Sequence, residues 1–168
     1  GEKTAPPIGR LAMTAGLEHV TAIGAEHLLH DPRVLEGAHP GLASLWRWHA
    51  IEETEHKAVA FDVYREIAGN GMAAWLRRCF TLFTASLGMQ VSIWLFMLVV
   101  SLRTGTFWNL RDWGRLFHWL WINPGGMRRV SRNYWRYFRR DFHPWQIDNY
   151  AEVQRWQAAQ AATPASVN

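Results

Sequence analysis

Trp48-His49-Ala50-Ile51-Glu52-Glu53-Thr54-Glu55-His56-Lys57 concentrates ionisable side chains in the first third of a 168-residue chain. Glu53 and His56 form a Glu-x-x-His, and on a helix side chains three apart share a face, one turn from each other. A single metal ion is then within reach of both. His49 before the pair and Ala60 after it continue the stripe at spacings of four, three and four. A bundle helix otherwise presents apolar core residues on such a stripe. Burying two or three ionisable groups there costs several kcal/mol unless a charge compensates them, and a divalent cation is the simplest compensation. The competing reading is an exposed helix face on which Glu52, Glu55 and Lys57 are solvated charges.

The elements around this stretch are helical. Pro6 and Pro7 precede a run from about Ile8 to His30 with apolar or small residues at helical spacing, and Asp31-Pro32 stops it. A loop follows from Arg33 to Gly41. Leu42 to Ile67 then predicts one second helix, ended by Gly69-Asn70-Gly71. The short loop makes the two helices antiparallel neighbours, which brings Glu18, in Gly16-Leu17-Glu18-His19-Val20-Thr21-Ala22, opposite the Glu53/His56 pair. Glu26, His27 and His30 read as surface or helix-end residues, and a helix surface also tolerates Glu18 and His19.

A glutamate on one helix facing a Glu-x-x-His on the next is half of the di-iron or di-manganese site of ferritin-like bundles. Carboxylate and imidazole donors suit iron, manganese or zinc, and the lack of nearby thiolate argues against a structural zinc site.

The second half differs in character. Residues 1–78 carry 8 Lys/Arg against 10 Asp/Glu, and residues 79–168 carry 10 Arg against 4 acids, so acids and imidazoles cluster early while arginine and tryptophan come late. A third segment, Met72 to Leu102, contains a charge-free run from Cys79 to Leu102, long enough for a bilayer core of about 30 Å. Phe107 to Ile122 is amphipathic, with Trp108, Trp113, Trp119 and Trp121 among Arg111, Asp112 and Arg115. A final helix starts near Met127. A single crossing by Cys79–Leu102 leaves arginines on both sides, which the positive-inside tendency disfavours. A monotopic arrangement avoids this: the apolar run dips into one leaflet, the Trp-rich helix lies at the interface, and Arg128, Arg129, Arg132, Arg136, Arg139 and Arg140 meet anionic headgroups. The alternative is a buried core helix with ordinary aromatic packing.

The length suits one domain rather than separate cofactor and substrate domains. A hydrophobic content of 49% excludes disorder as the global state. The single cysteine rules out an intramolecular disulfide, making a reducing compartment the default. The N-terminus has no signal-peptide pattern and reads like the middle of a longer protein.

Leu17-Glu18-His19-Val20-Thr21-Ala22 and Trp46-Arg47-Trp48-His49-Ala50-Ile51-Glu52-Glu53-Thr54-Glu55-His56-Lys57-Ala58-Val59-Ala60-Phe61-Asp62-Val63-Tyr64 resemble the bacterial family of predicted metal-dependent hydrolases, a ferritin-like group. The resemblance covers about residues 10–145. Family members usually carry an upstream half with a further glutamate and Glu-x-x-His, so this chain resembles their C-terminal part. The resemblance implies a metal centre using Glu18, Glu53 and His56, with His49 and Glu52 as further candidates.

The expectation is therefore all-α: a ferritin-like metal-binding hairpin over residues 1–71, apolar and Trp/Arg-rich membrane-associating helices over 72–156, and a flexible tail over 157–168. The function expected is a metal-dependent enzyme, oxygenase or hydrolase, on the cytoplasmic face of the inner membrane, monotopic or single-span, acting on a lipid-like substrate. Its metal is divalent, iron in a di-iron centre, or manganese or zinc; a homodimer or an upstream half completes the site. The rivals are a metal-free helical subunit of a membrane complex and an RNA-binding or tRNA-modifying di-iron protein; the apolar run counts against nucleic acid.

Overall fold

The computed structural model describes residues 7–151, 153–155 and 158. They form helices α1 (Pro7–His30), α2 (Pro40–His56), α3 (Val59–Ala68), α4 (Met72–Arg103), α5 (Leu110–Trp121) and α6 (Gly126–Arg136), with 3-10 turns at Pro32–Leu35 and Pro144–Gln146 and no strand. The all-α expectation holds. The tail expected over 157–168 lies outside the described residues except for residue 158.

Helix α1 is the axis of the fold and packs against α2, α3, α4 and α6. Small side chains allow this: Ala12, Ala15, Gly16 and Ala22 lie on its buried face. At Gly16 the backbones of α1 and α4 nearly touch, since a Cβ there would sit 3.1 Å from Leu82 Cα. Ala15, Ile23, Phe61, Leu82, Tyr137 and Phe142 form the core, to which both halves of the sequence contribute. The Phe61 ring meets those of Tyr137 and Phe142 edge-on, at centroid distances of 6.0 and 5.7 Å.

The helix expected over Leu42–Ile67 is two helices, broken at Lys57 and Ala58 immediately after the Glu-x-x-His. No glycine or proline causes the break. Lys57 is buried, and its ammonium donates to Ile147 O and Asn149 Oδ1, both at 2.6 Å. Asn149 in turn donates to Thr54 Oγ1 at 3.1 Å. Helix α3 starts without a side-chain cap of its own. A carboxylate from α1 takes that role: Glu18 Oε2 accepts the Ala60 N–H at 3.1 Å, satisfying one of the first-turn donors. Gly69, at φ 71°, closes α3.

The first half of α4 is anchored in the core through Ala74, Cys79 and Leu82. Arg78, also buried, donates to the carbonyls of Tyr137 and of Arg139 just past the end of α6. That position favours a cation, because the last helical carbonyls are otherwise unpaired. The second half of α4 leaves the core: Val91, Trp94, Leu95 and Phe96 are exposed, and of the helix's most apolar 18-residue window only 6% is buried. The alternative of a buried core helix is thereby overturned. It is the one helix among the described residues long and apolar enough to cross a membrane.

Helix α5 folds back beside α4, with Trp94 stacked on Trp113 at 6.5 Å and a cavity of about 270 Å³ between the helices, lined by Phe96, Met97, Val100 and Leu116 among others. Helix α6 then returns to α1, where Asn133 O meets His19 Nε2 at 3.2 Å. The chain leaves the helical core through α4 and re-enters it through α6.

Candidate metal centre

Glu18 on α1 and Glu53 on α2 come together where the two helices pack. The antiparallel hairpin places them there, as its short loop predicts. Each carboxylate is aimed by a donor: Glu18 by the Ala60 N–H, and Glu53 by the Thr21 hydroxyl, which reaches Oε2 at 2.5 Å. Thr21 lies three residues after Glu18 on the same face of α1, a spacing visible in the sequence although its partnership with Glu53 was not foreseen.

Burial raises the Glu18 pKa above the ordinary carboxylate range. The Ala60 hydrogen bond opposes this, the like charge of Glu53 adds to it, and His56 pulls the other way. Two acids and an imidazole therefore sense one another across the hairpin.

Each imidazole lies one helical turn from a glutamate of its own helix, with His49 Nε2 3.6 Å from Glu53 Oε1 and His56 Nε2 3.7 Å from Glu52 Oε2. Both histidines are exposed. Among the described residues no three of the candidate donor types are gathered tightly enough to form a ligand set.

The donor chemistry fits a divalent cation nonetheless. Two carboxylates, partly desolvated and held together by separate donors, leave Glu18 Oε1 and Glu53 Oε1 as further acceptors, with His49 beside the latter. Glu18, Glu53 and His49 would hold the ion from this chain, with His56 and Glu52 at the rim.

Three other polar residues are buried. His19, tolerated on a surface by the sequence reading, is fully buried against Tyr137 and Phe142, and burial pushes its pKa down to about 4. Glu26, expected at the surface, is only 7% exposed. It accepts a bidentate pair from Arg129, with contacts of 3.0, 3.1 and 2.6 Å, across more than half the sequence. Lys57, read as a solvated charge, forms the buried link to Ile147 and Asn149. Phe61 and Tyr64 pack in the interior.

The class these features define is an all-α protein with a carboxylate-and-imidazole hairpin at its centre. The chain belongs to the family of predicted metal-dependent hydrolases, whose model matches residues 1–148, and the family's description implies a bound metal ion. No curated protein and no solved structure matches the chain.

Proposed function

We propose that this chain supplies one half of a two-cation carboxylate centre in a membrane-associated hydrolase acting on a lipid-like substrate. The observation that carries the reading is the meeting of Glu18 and Glu53 across α1 and α2, where like charges repel unless a cation lies between them. A bound divalent cation supplies a water of lowered pKa and polarises the bond to be cleaved. The residues of the chain do the rest. Thr21 and the Ala60 N–H fix the two carboxylates that would hold the cation. His49 stands exposed beside Glu53, on the solvent side of the pair.

A second half-set completes the centre, from helices upstream of these residues or from a second copy of the chain. The apolar side chains exposed around the hairpin, Leu42, Leu45, Trp46, Val59 and Val63, suit both that covering and a greasy substrate. The hairpin of α4 and α5 supports attachment to one leaflet.

Metal analysis of purified protein tests the assignment. Wild type retains iron, manganese or zinc, and the Glu53→Ala, His49→Ala double variant loses it while keeping its helical circular dichroism. Metal retained at wild-type stoichiometry in the folded double variant overturns the site. Hydrolysis of an acyl ester presented in micelles, lost in the same variant, tests the reaction.

A further inference from the structure

Between the C-terminal part of α1 and helix α6 lies an open groove of about 880 Å³, away from the Glu18/Glu53 pair. Five arginines line it, Arg33, Arg128, Arg129, Arg132 and Arg136, against the carboxylates of Glu26, Asp31 and Asp148. Two of those carboxylates are already engaged: Glu26 takes Arg129 bidentately, and Asp31 takes Arg33 at 2.8 and 2.5 Å. Asp148 accepts a backbone N–H, from Tyr150, at 3.2 Å.

Three cations are left over. Arg128, Arg132 and Arg136 follow one another at four-residue spacing, so they stand in a row on one face of α6, spread over roughly 12 Å at about 1.5 Å per residue. All three are exposed, and among the described residues no carboxylate lies within ion-pair distance of any of them. Their hydrogen-bond partners are neutral: Arg128 donates to Ile122 O at 3.2 Å and Arg136 to Asn133 Oδ1 at 3.4 Å. Like charges at this spacing destabilise an isolated helix. A row of unneutralised guanidinium groups facing a groove is a cost that a bound anion repays, and planar guanidinium matches phosphate oxygens bidentately.

His27 also lines the groove, pressed against Gly126, where a Cβ would come within 2.1 Å of its Nε2. Pro124 and Gly125, in the turn between α5 and α6 at the base of the α4–α5 hairpin, line it as well. Trp119, Trp121 and Ile122, just before that turn in the chain, are exposed. A phosphate in the groove with an apolar tail along the hairpin satisfies both surfaces at once.

We propose that the row Arg128, Arg132 and Arg136 binds the phosphate of an amphiphile, most directly the phosphodiester of an anionic lipid headgroup. The lipid form of this ligand rests on the membrane reading above, whereas the phosphate chemistry stands without it.

The test uses the full chain and its Arg128→Gln, Arg132→Gln, Arg136→Gln variant, both checked for native circular dichroism. Each is co-sedimented with vesicles of phosphatidylcholine alone and with phosphatidylglycerol added, and titrated with glycerol 3-phosphate by ³¹P line broadening. At about fivefold per arginine, the variant loses about a hundredfold in affinity for phosphatidylglycerol vesicles. Its weaker binding to phosphatidylcholine, carried by the hairpin, is unchanged. If wild type binds no vesicle at all but broadens glycerol 3-phosphate in an arginine-dependent way, the groove stands with a soluble phosphate ligand and the membrane reading fails. Equal binding of phosphatidylglycerol by both proteins, with no response to glycerol 3-phosphate, overturns the proposal. So does a preference for single-stranded RNA over phosphatidylglycerol vesicles.

Discussion

His19 shows how one buried side chain sets the pH response of the fold. Its ring lies between Tyr137 and Phe142 with Nε2 on the Asn133 carbonyl, and its pKa falls to about 4 from an ordinary 6.5, chiefly through burial. The unfolded chain therefore takes up a proton at this residue between pH 6.5 and 4 while the folded chain does not. Stability is lost as pH falls through that window, at about 1.4 kcal/mol per unit, or roughly 2 kcal/mol by pH 5. Glu18 acts in the opposite sense, since its raised pKa lets the folded chain hold the extra proton. The two are separated by comparing wild type with His19→Gln, whose amide can still donate to Asn133. In urea titrations, wild type should lose about 2 kcal/mol more than the variant between pH 7 and pH 5. Parallel pH profiles would remove His19 from this role.

At the scale of the element, the break between α2 and α3 separates what the sequence shows from what it conceals. The ends of α1, the hairpin loop, the long α4 and the start of α6 all follow from prolines, glycines and apolar spacing near the positions concerned. The break at Lys57 has no such local mark. It is made by partners about 90 residues away, Ile147 and Asn149, and by Glu18 capping α3 from another helix. The metal-binding stripe was legible for the same local reason as the helices: its spacing lies within one element. The contact of Thr21 with Glu53 was not, because it joins two helices and leaves no spacing within either one. Replacing Lys57 with Met leaves the Ile147 carbonyl and Asn149 Oδ1 buried without their donor, a loss of about 3 kcal/mol. Amide hydrogen exchange should accelerate at 145–150 and at the start of α3, more than in α1. Unchanged exchange in both segments would mean that the break is intrinsic to α2 and α3.

For the whole molecule, the question is how far the α4–α5 hairpin reaches. Residues 87–103 of α4 extend roughly 25 Å at about 1.5 Å per residue, and α5 comes back over roughly 18 Å, against a bilayer core of about 30 Å. The hairpin is too short to cross upright and return. Its returning helix also carries Arg111, Asp112 and Arg115, with Asp112 and Arg115 paired at 3.3 Å on the exposed side. In the proposed membrane-attached form such a helix would lie in the interface, its apolar side chains in the acyl region and its arginines extended toward headgroups. Because α4 and α6 both pack on α1, the proposed attachment would keep the helical core and the arginine groove on one side of the membrane. In a Cys79→Ala background, a cysteine placed by Thr104→Cys at the hairpin tip and one placed by Ser131→Cys on α6 distinguish the arrangements in sealed vesicles. With the protein added from outside, Ser131→Cys should react with an impermeant maleimide in the medium, and Thr104→Cys should react neither from the medium nor with reagent trapped inside. Labelling of Thr104→Cys by the trapped reagent alone would show that α4 crosses the bilayer. It would also require α6 to part from α1, breaking the Glu26–Arg129 and His19–Asn133 contacts that close the fold.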